Sequence, residues 1–243
     1  MKIGMSRDIT NKVHWILDNL LPPVMRESKF LMGILAWGIY GKYGKYYLNF
    51  KENGKYLTMS DEDFKHYYEM IAPIITRPTD INNACMKKLL EESEKWGDGK
   101  VLDISCGRGF LSKELAKHNG RLSIVGSDIN IPKELLDCQT DRLTFVNGNI
   151  EHLDFEDKSF DVVISTHTLE HVVNAKQAYD ELKRVCKKKL IIIVPCQRQY
   201  KYTMDFHVQF FPYEFSLLQF TGNYGATCVK IDGDLWYEEM IED

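Results

Sequence analysis

The chain lacks an apolar run long enough to cross a bilayer. Its most apolar stretch, Phe30 to Tyr40, is eleven residues, about half of the roughly 20 that a spanning helix needs. No signal-peptide pattern follows Met1. The six cysteines (Cys85, Cys106, Cys138, Cys186, Cys196 and Cys228) form no C-x-x-C pair. That spacing argues against a disulfide framework or a zinc knuckle and for a reducing, cytoplasmic setting. Neither sign of charge dominates: 31 Lys and Arg face 35 Asp and Glu, a net charge of −4. No global field therefore gathers nucleic acid, which is not an expected partner. Internal repeats and low-complexity segments are absent as well. What remains, 44% hydrophobic and 27% charged over 243 residues, is an ordinary globular composition with room for a substantial core.

The most informative stretch is Lys100 to Phe110, K-V-L-D-I-S-C-G-R-G-F. Val101 and Leu102 belong to a short apolar strand, Asp103 sits near its carboxyl end, and Gly107 and Gly109 form a tight turn before a helix-like run from Phe110 to His118. Small residues let a ligand approach the backbone, and the helix N-terminus offers N–H groups. A second strand, Leu122 to Gly126, leads to Asp128 and Ile129, 19 and 20 residues after Gly109. A carboxylate there can accept both hydroxyls of a ribose. Dinucleotide sites use G-x-G-x-x-G, whereas this chain places an acid before its glycines and Ser112 where the third glycine would be. An acid there repels a pyrophosphate and suits a cationic nucleoside.

In these residues the chain resembles the class I S-adenosylmethionine-dependent methyltransferases, whose first motif is D/E-x-G-x-G-x-G; Ser105 stands at the first glycine. The resemblance, closest to the type 11/23-like members, covers roughly residues 81 to 243. It implies S-adenosylmethionine as cofactor, with Asp103, Ser105, Gly107, Asp128 and Ile129 around it. The family also places an Asp or Asn with an apolar neighbour after the third strand, which assigns Asn149 and Ile150 to the adenine; the plainer reading of Asn147-Gly148 is an ordinary turn. Phe155 to Asp161 resembles the family's F-x-D-x-S-F-D segment.

Further strands are expected at Leu143 to Val146, Phe160 to Ser165 and Leu190 to Val194, with a helix from Asn174 to Lys187. Thr227 to Ile231 and Leu235 to Met240 flank Asp232-Gly233, a hairpin signal. The expected fold class is α/β, a Rossmann-like seven-stranded, mostly parallel sheet with a C-terminal antiparallel hairpin. Residues 1–80 read as an N-terminal helical cap and 81–243 as the cofactor domain. Within the cap, helices are expected at Val13 to Leu21 and Phe30 to Tyr40. An aromatic loop through Tyr43, Tyr46 and Tyr47 follows, and Ser60 and Asp63 cap another helix. The first fifty residues carry seven Lys and Arg against three acids, so the segment packs on the main domain, covers an acceptor pocket or makes peripheral contact with a membrane surface.

His167, Glu170 and His171 follow the fourth strand. On a helix they would share one face about 100° wide, turned to the cleft. A fourth residue, His207, follows the fifth strand. H-x-x-E-H is also the inverzincin pattern, but its strand–helix context resembles a methyltransferase. A structural reading sees only the superfamily's L-E-H-V signature. A functional reading makes His167, His171 and His207 bases for the acceptor, or, with Glu170, ligands of a divalent zinc, iron or manganese ion. Small-RNA terminal and ubiquinone-pathway O-methyltransferases look similar there, with E-x-x-E-H. The run Leu21 to Lys29 and the segment Arg77 to Asp80 also resemble methyltransferases of bacterial surface-polysaccharide assembly. Methyl transfer to a small-molecule acceptor, an oxygen of a sugar or glycan precursor, is the leading expectation. An RNA 2′-O-methyltransferase and a non-catalytic cofactor-binding scaffold are the alternatives.

Overall fold

The structure, a computed structural model, describes residues 7–71, 77–199, 201–202 and 205–242. The chain forms two compact units, Met1–Arg77 with Gln197–Phe210, and Pro78–Cys196 with Phe211–Asp243.

The first unit is helical. Helix α1 (Arg7–Asn19) ends ahead of Pro22, and α2 (Pro23–Arg26) opens on a proline, whose missing N–H costs nothing at that position. Ser28 caps α3 (Lys29–Tyr40) by accepting the Leu31 N–H. The expected aromatic loop is instead a 3₁₀ turn and helix α4 (Gly44–Phe50). Gly44 allows this, because a Cβ there would lie 2.6 Å from the Ala36 carbonyl oxygen. Tyr47 then stacks on Tyr40 and Phe206, with centroids 4.5 and 4.8 Å apart, around a fully buried Phe50. Glycines and tyrosines read as loop by composition, but the rings have an apolar cluster to fill. Helix α5 (Asp61–Ile71) begins with the expected reciprocal cap. The Ser60 hydroxyl accepts the Asp63 N–H at 3.2 Å, and the Asp63 carboxylate accepts the Ser60 N–H at 2.9 Å.

The second unit is an α/β sheet. After α6 (Asn83–Ser93) come β1 (Lys100–Ile104), α7 (Phe110–His118), β2 (Ser123–Asp128), α8 (Lys133–Leu136), β3 (Leu143–Asn147), β4 (Phe160–Thr166), α9 (Ala175–Val185), β5 (Cys186–Pro195), α10 (Glu214–Thr221), β6 (Thr227–Ile231) and β7 (Asp234–Met240). The strand order is 3-2-1-4-5-7-6; β1 to β5 pair in parallel, while β7 runs antiparallel to both β5 and β6. The period-two alternation of a strand divides the core. Leu190, Ile192 and Val194 enter one apolar cluster, with Leu102 and Val163, while Ile191 and Ile193 enter the other, with Val101 and Val162. Strand order reverses between β1 and β4, and ligands of open α/β sheets bind at the carboxyl edge of such a point.

Two glycines shape that edge. A Cβ on Gly126 of β2 would lie 2.6 Å from the Phe145 ring, and one on Gly109 would lie 2.8 Å from it. Phe145 of β3 thus occupies the volume their side chains would need, and Gly109 adds a left-handed φ of +68°.

Candidate functional site

The turn after β1 is built from positive φ angles: Ser105 at +57°, Gly107 at +54° and Gly109 at +68°. Ser105 therefore adopts the conformation of the glycine it replaces, at a cost of about 1 kcal/mol. The Cys106 N–H donates to the Ser127 carbonyl at 3.1 Å, and the Gly109 N–H to the Cys106 carbonyl at 2.8 Å, which close the turn. Ser105→Gly is expected to stabilise the protein by up to about 0.5 kcal/mol, the relieved strain slightly outweighing the added freedom of the unfolded chain. Chemical denaturation checks this; a destabilised variant would mean that the serine hydroxyl contributes more than the strain removes.

Asp103 is 1% exposed. Its Oδ2 accepts from the Ser112 hydroxyl at 2.5 Å, while its Oδ1 has no hydrogen-bond partner. Burial pushes its pKa up to about 7, against the Ser112 hydroxyl and amide, with nearby Asp128 adding to the rise. Asp128, at the end of β2, accepts the Gly107 N–H at 2.9 Å and the Asn130 N–H at 3.2 Å. Burial raises its pKa as well, opposed by those amides. Beside it Ile129 is 53% exposed, an apolar surface ready for a flat ring. Asn149 directs its Oδ1 to the Glu151 N–H at 2.9 Å and forms an isolated bridge with His152, so its carbonyl serves a turn. Ile150 is buried in the core with Leu153 and Phe160.

The histidine region differs from its expected form. His167 lies on no helix. It follows β4 directly at φ +51°, and Leu169–His171 form a 3₁₀ turn before α9 begins at Ala175. The His167 side chain is buried between two acids, Nδ1 lying 3.3 Å from Glu170 Oε1 and Nε2 lying 3.2 Å from Asp234 Oδ2. Asn82 donates its side-chain N–H to the same Asp234 oxygen at 2.8 Å and to the Ile231 carbonyl at 2.9 Å. Glu170 is buried too, and neither of its carboxylate oxygens has a hydrogen bond. It does not face a cleft from a helix surface, because the tight turn directs it inward with Leu169. His171 is partly exposed, its Nε2 4.0 Å from Glu170 Oε1. His207 belongs to the other unit. Its Nδ1 lies 2.6 Å from Gln197 Oε1, and Gln197 in turn donates to Asp205 at 2.9 Å. That chain of donors places the proton on Nδ1.

Of the four expected metal ligands, His167 is the one whose surroundings argue against an ion. Both nitrogens of His167 already face carboxylates, and a ligating imidazole must present a lone pair.

Sequence reasoning missed Ser112, Asp234 and Asn82. Ser112 stood only as an absent glycine. Asp234 carries a signal that could have found it: a carboxylate opening the apolar run Leu235-Trp236-Tyr237, all fully buried. Asn82 is the N-cap of α6, accepting the Cys85 N–H at 2.8 Å.

Residues 102–194 match the family model described as a methyltransferase domain. The chain is 29% identical over 109 residues to a sarcosine/dimethylglycine N-methyltransferase of Aphanothece halophytica, covering 42% of this chain and 39% of that protein. It is 30% identical over 172 residues to a probable phthiotriol/phenolphthiotriol dimycocerosates methyltransferase of Mycobacterium ulcerans, covering 67% of this chain and 66% of that one. The chain thus spans between about two-fifths and two-thirds of the length of these relatives. In fold it is similar to a SAM-dependent methyltransferase of Aquifex aeolicus, with a TM-score of 0.54 at 17% identity over 68% of this chain and 94% of that structure. The domain match falls on the strands that carry Asp103 and Asp128, and on this ground the chain belongs to the class I S-adenosylmethionine-dependent methyltransferase superfamily.

Proposed function

We propose that the chain transfers a methyl group from S-adenosylmethionine to an oxygen of a small-molecule acceptor, a sugar or related glycan precursor. The observation that carries the cofactor reading is the unsatisfied Oδ1 of buried Asp103, one strand from Asp128. A buried carboxylate without a full set of partners is costly, and a cationic amino group relieves that cost. S-adenosylmethionine has such a group and, when bound, supplies a methyl on a cationic sulfur. Asp103 holds the positive charge, Asp128 accepts from the ribose hydroxyls, Ile129 covers the adenine face and the Ser105 to Gly109 turn admits the chain of the cofactor. Asn149 contributes to the adenine edge through its amide.

His171 is the base of this proposal, because its side chain is partly exposed whereas that of His167 is buried between acids. It takes the proton of the acceptor hydroxyl, which is a weak nucleophile near neutral pH. The two relatives are named for unlike acceptors, sarcosine and dimethylglycine in one and phthiotriol or phenolphthiotriol dimycocerosates in the other. They support a small acceptor, while the sugar oxygen is supported by the likeness of the Leu21 to Lys29 run.

Calorimetric titration with S-adenosylmethionine across pH tests the cofactor reading. Asp103 is protonated below about 7 in the free protein, and the cation pairs only with the carboxylate. Affinity is therefore expected to rise about tenfold per pH unit up to about 7, with one proton released per molecule bound. Without cofactor the sign reverses. The folded state binds the extra proton between the ordinary carboxylate range and about 7, so stability falls as pH rises through that window. Asp103→Asn should flatten both profiles. Absence of binding at any pH would overturn the cofactor reading. Transfer of labelled methyl to amines but not to hydroxyl compounds would overturn the oxygen acceptor.

A further inference from the structure

Of the nineteen large apolar side chains exposed among the described residues, nine lie between Trp15 and Trp37. Scattered exposed apolar residues need no explanation, whereas a concentration of this kind marks an interaction surface. On α3, Met32 and Ala36 are buried against Leu17 of α1. Phe30, Ile34 and Trp37, spaced four and three residues apart, form an outward stripe, with Phe30 75% and Trp37 71% exposed. On α1, exposed Trp15 and Ile16 share a helix face with Lys12. The connection between the two helices adds exposed Leu20 and Val24, the latter 76% exposed.

The charge is as uneven as the apolar surface. Residues 12–45 hold Lys12, Arg26, Lys29, Lys42 and Lys45 against Asp18 and Glu27, in a chain whose net charge is −4. Lys29 is paired with Glu52 at 2.6 Å, while Lys12, Lys42 and Lys45 are exposed. Exposed tryptophans beside lysines suit a headgroup boundary, where an indole buries its ring and keeps its N–H wet. No described helix is long and apolar enough to cross a membrane, so these helices would lie in the interface plane.

We propose that α1 to α3, with the 3₁₀ turn and the start of α4 that follow, form a docking face for the surface of an anionic lipid bilayer. Apolar insertion of the Phe30–Ile34–Trp37 stripe supplies the depth-dependent part of the binding. Lys12, Lys42 and Lys45 supply attraction to acidic headgroups, an effect screened by salt. This inference stands apart from the methyl-transfer reading, since it uses none of the cofactor residues.

The test is co-sedimentation of the full chain with vesicles of phosphatidylcholine alone and of phosphatidylcholine mixed with phosphatidylglycerol, with tryptophan emission followed alongside. The protein is expected to partition onto the acidic vesicles with a blue shift and to release in high salt. Phe30→Ser with Trp37→Ser should weaken partition by about tenfold or more for each side chain withdrawn. These side chains are exposed, so the variant keeps the wild-type circular dichroism. Lys12→Glu with Lys42→Glu should weaken binding to the acidic vesicles only. Failure to bind acidic vesicles overturns the proposal, as does binding that the double serine variant leaves unchanged. A wild-type dimer that this variant splits, in sedimentation without lipid, overturns it in favour of a second copy of the chain.

Discussion

Asp128→Ala is expected to weaken S-adenosylmethionine binding by about a hundredfold. Two effects combine. In the proposed cofactor site the carboxylate accepts from the ribose hydroxyls, and hydrogen bonds to a charged group contribute about 1.5–3 kcal/mol each. The same carboxylate accepts the Gly107 and Asn130 amides, so its loss also loosens the turn proposed to receive the cofactor. Two such bonds at the lower end of that range amount to about 3 kcal/mol, which corresponds to a loss of about a hundredfold or somewhat more. Asp128→Asn separates the two effects. It keeps one acceptor oxygen and the size of the side chain, and should retain more of the affinity than alanine does. Calorimetry measures both variants, and a loss below about threefold for alanine would remove Asp128 from the cofactor site.

The second large effect lies at His167. Removing the imidazole leaves Asp234 and Glu170 buried without the ring that faces both. Truncating one partner of a buried pair typically costs about 3–5 kcal/mol, and His167→Ala is expected to fall at the lower end because Asn82 still donates to Asp234. For a chain of this size that is a fall in melting temperature of about 6–12 °C. The double variant His167→Ala/Asp234→Asn should recover part of the loss, since it removes one uncompensated charge. The cycle of single and double variants reports the coupling directly. A double variant less stable than His167→Ala alone would mean that Asp234 acts through Asn82 rather than through the ring. The left-handed φ of +51° at His167 is a strained position for a residue with a Cβ, and the contacts with two acids hold it there.

Sheet strands were legible because their signals are local. Leu190 to Val194 is continuously apolar, as a strand buried on both faces must be, and the structure extends it to Cys186–Pro195. The hairpin around Asp232-Gly233 and the cap at Ser60 were likewise legible from a few adjacent residues. The helix over His167 to His171 was not. Its i, i+3, i+4 spacing looks helical, but the backbone first has to leave β4 through a left-handed residue. The partner that holds it there, Asp234, lies 67 positions away. The loop expected around Tyr46 and Tyr47 failed for a related reason. Gly44 promotes a turn when read locally, yet here its missing side chain admits the Ala36 backbone and lets a helix pack.

By itself the sequence determined the strand–turn–helix–strand unit, the acid at each of two strand ends and the cationic nucleoside they suit. All of these follow from residue types a few positions apart, where steric limits and charge act locally. It also determined the basic, aromatic character of the N-terminal segment. Tertiary structure alone decided that Asp103 is buried with one oxygen unsatisfied, and that Ser112 supplies its single side-chain partner. It also decided that Ile150 belongs to the core while Ile129 stays exposed, and that His167 is enclosed by acids from β7 and the turn after β4. Burial and long-range pairing depend on which segments the sheet brings side by side, and no local pattern of residues encodes that arrangement.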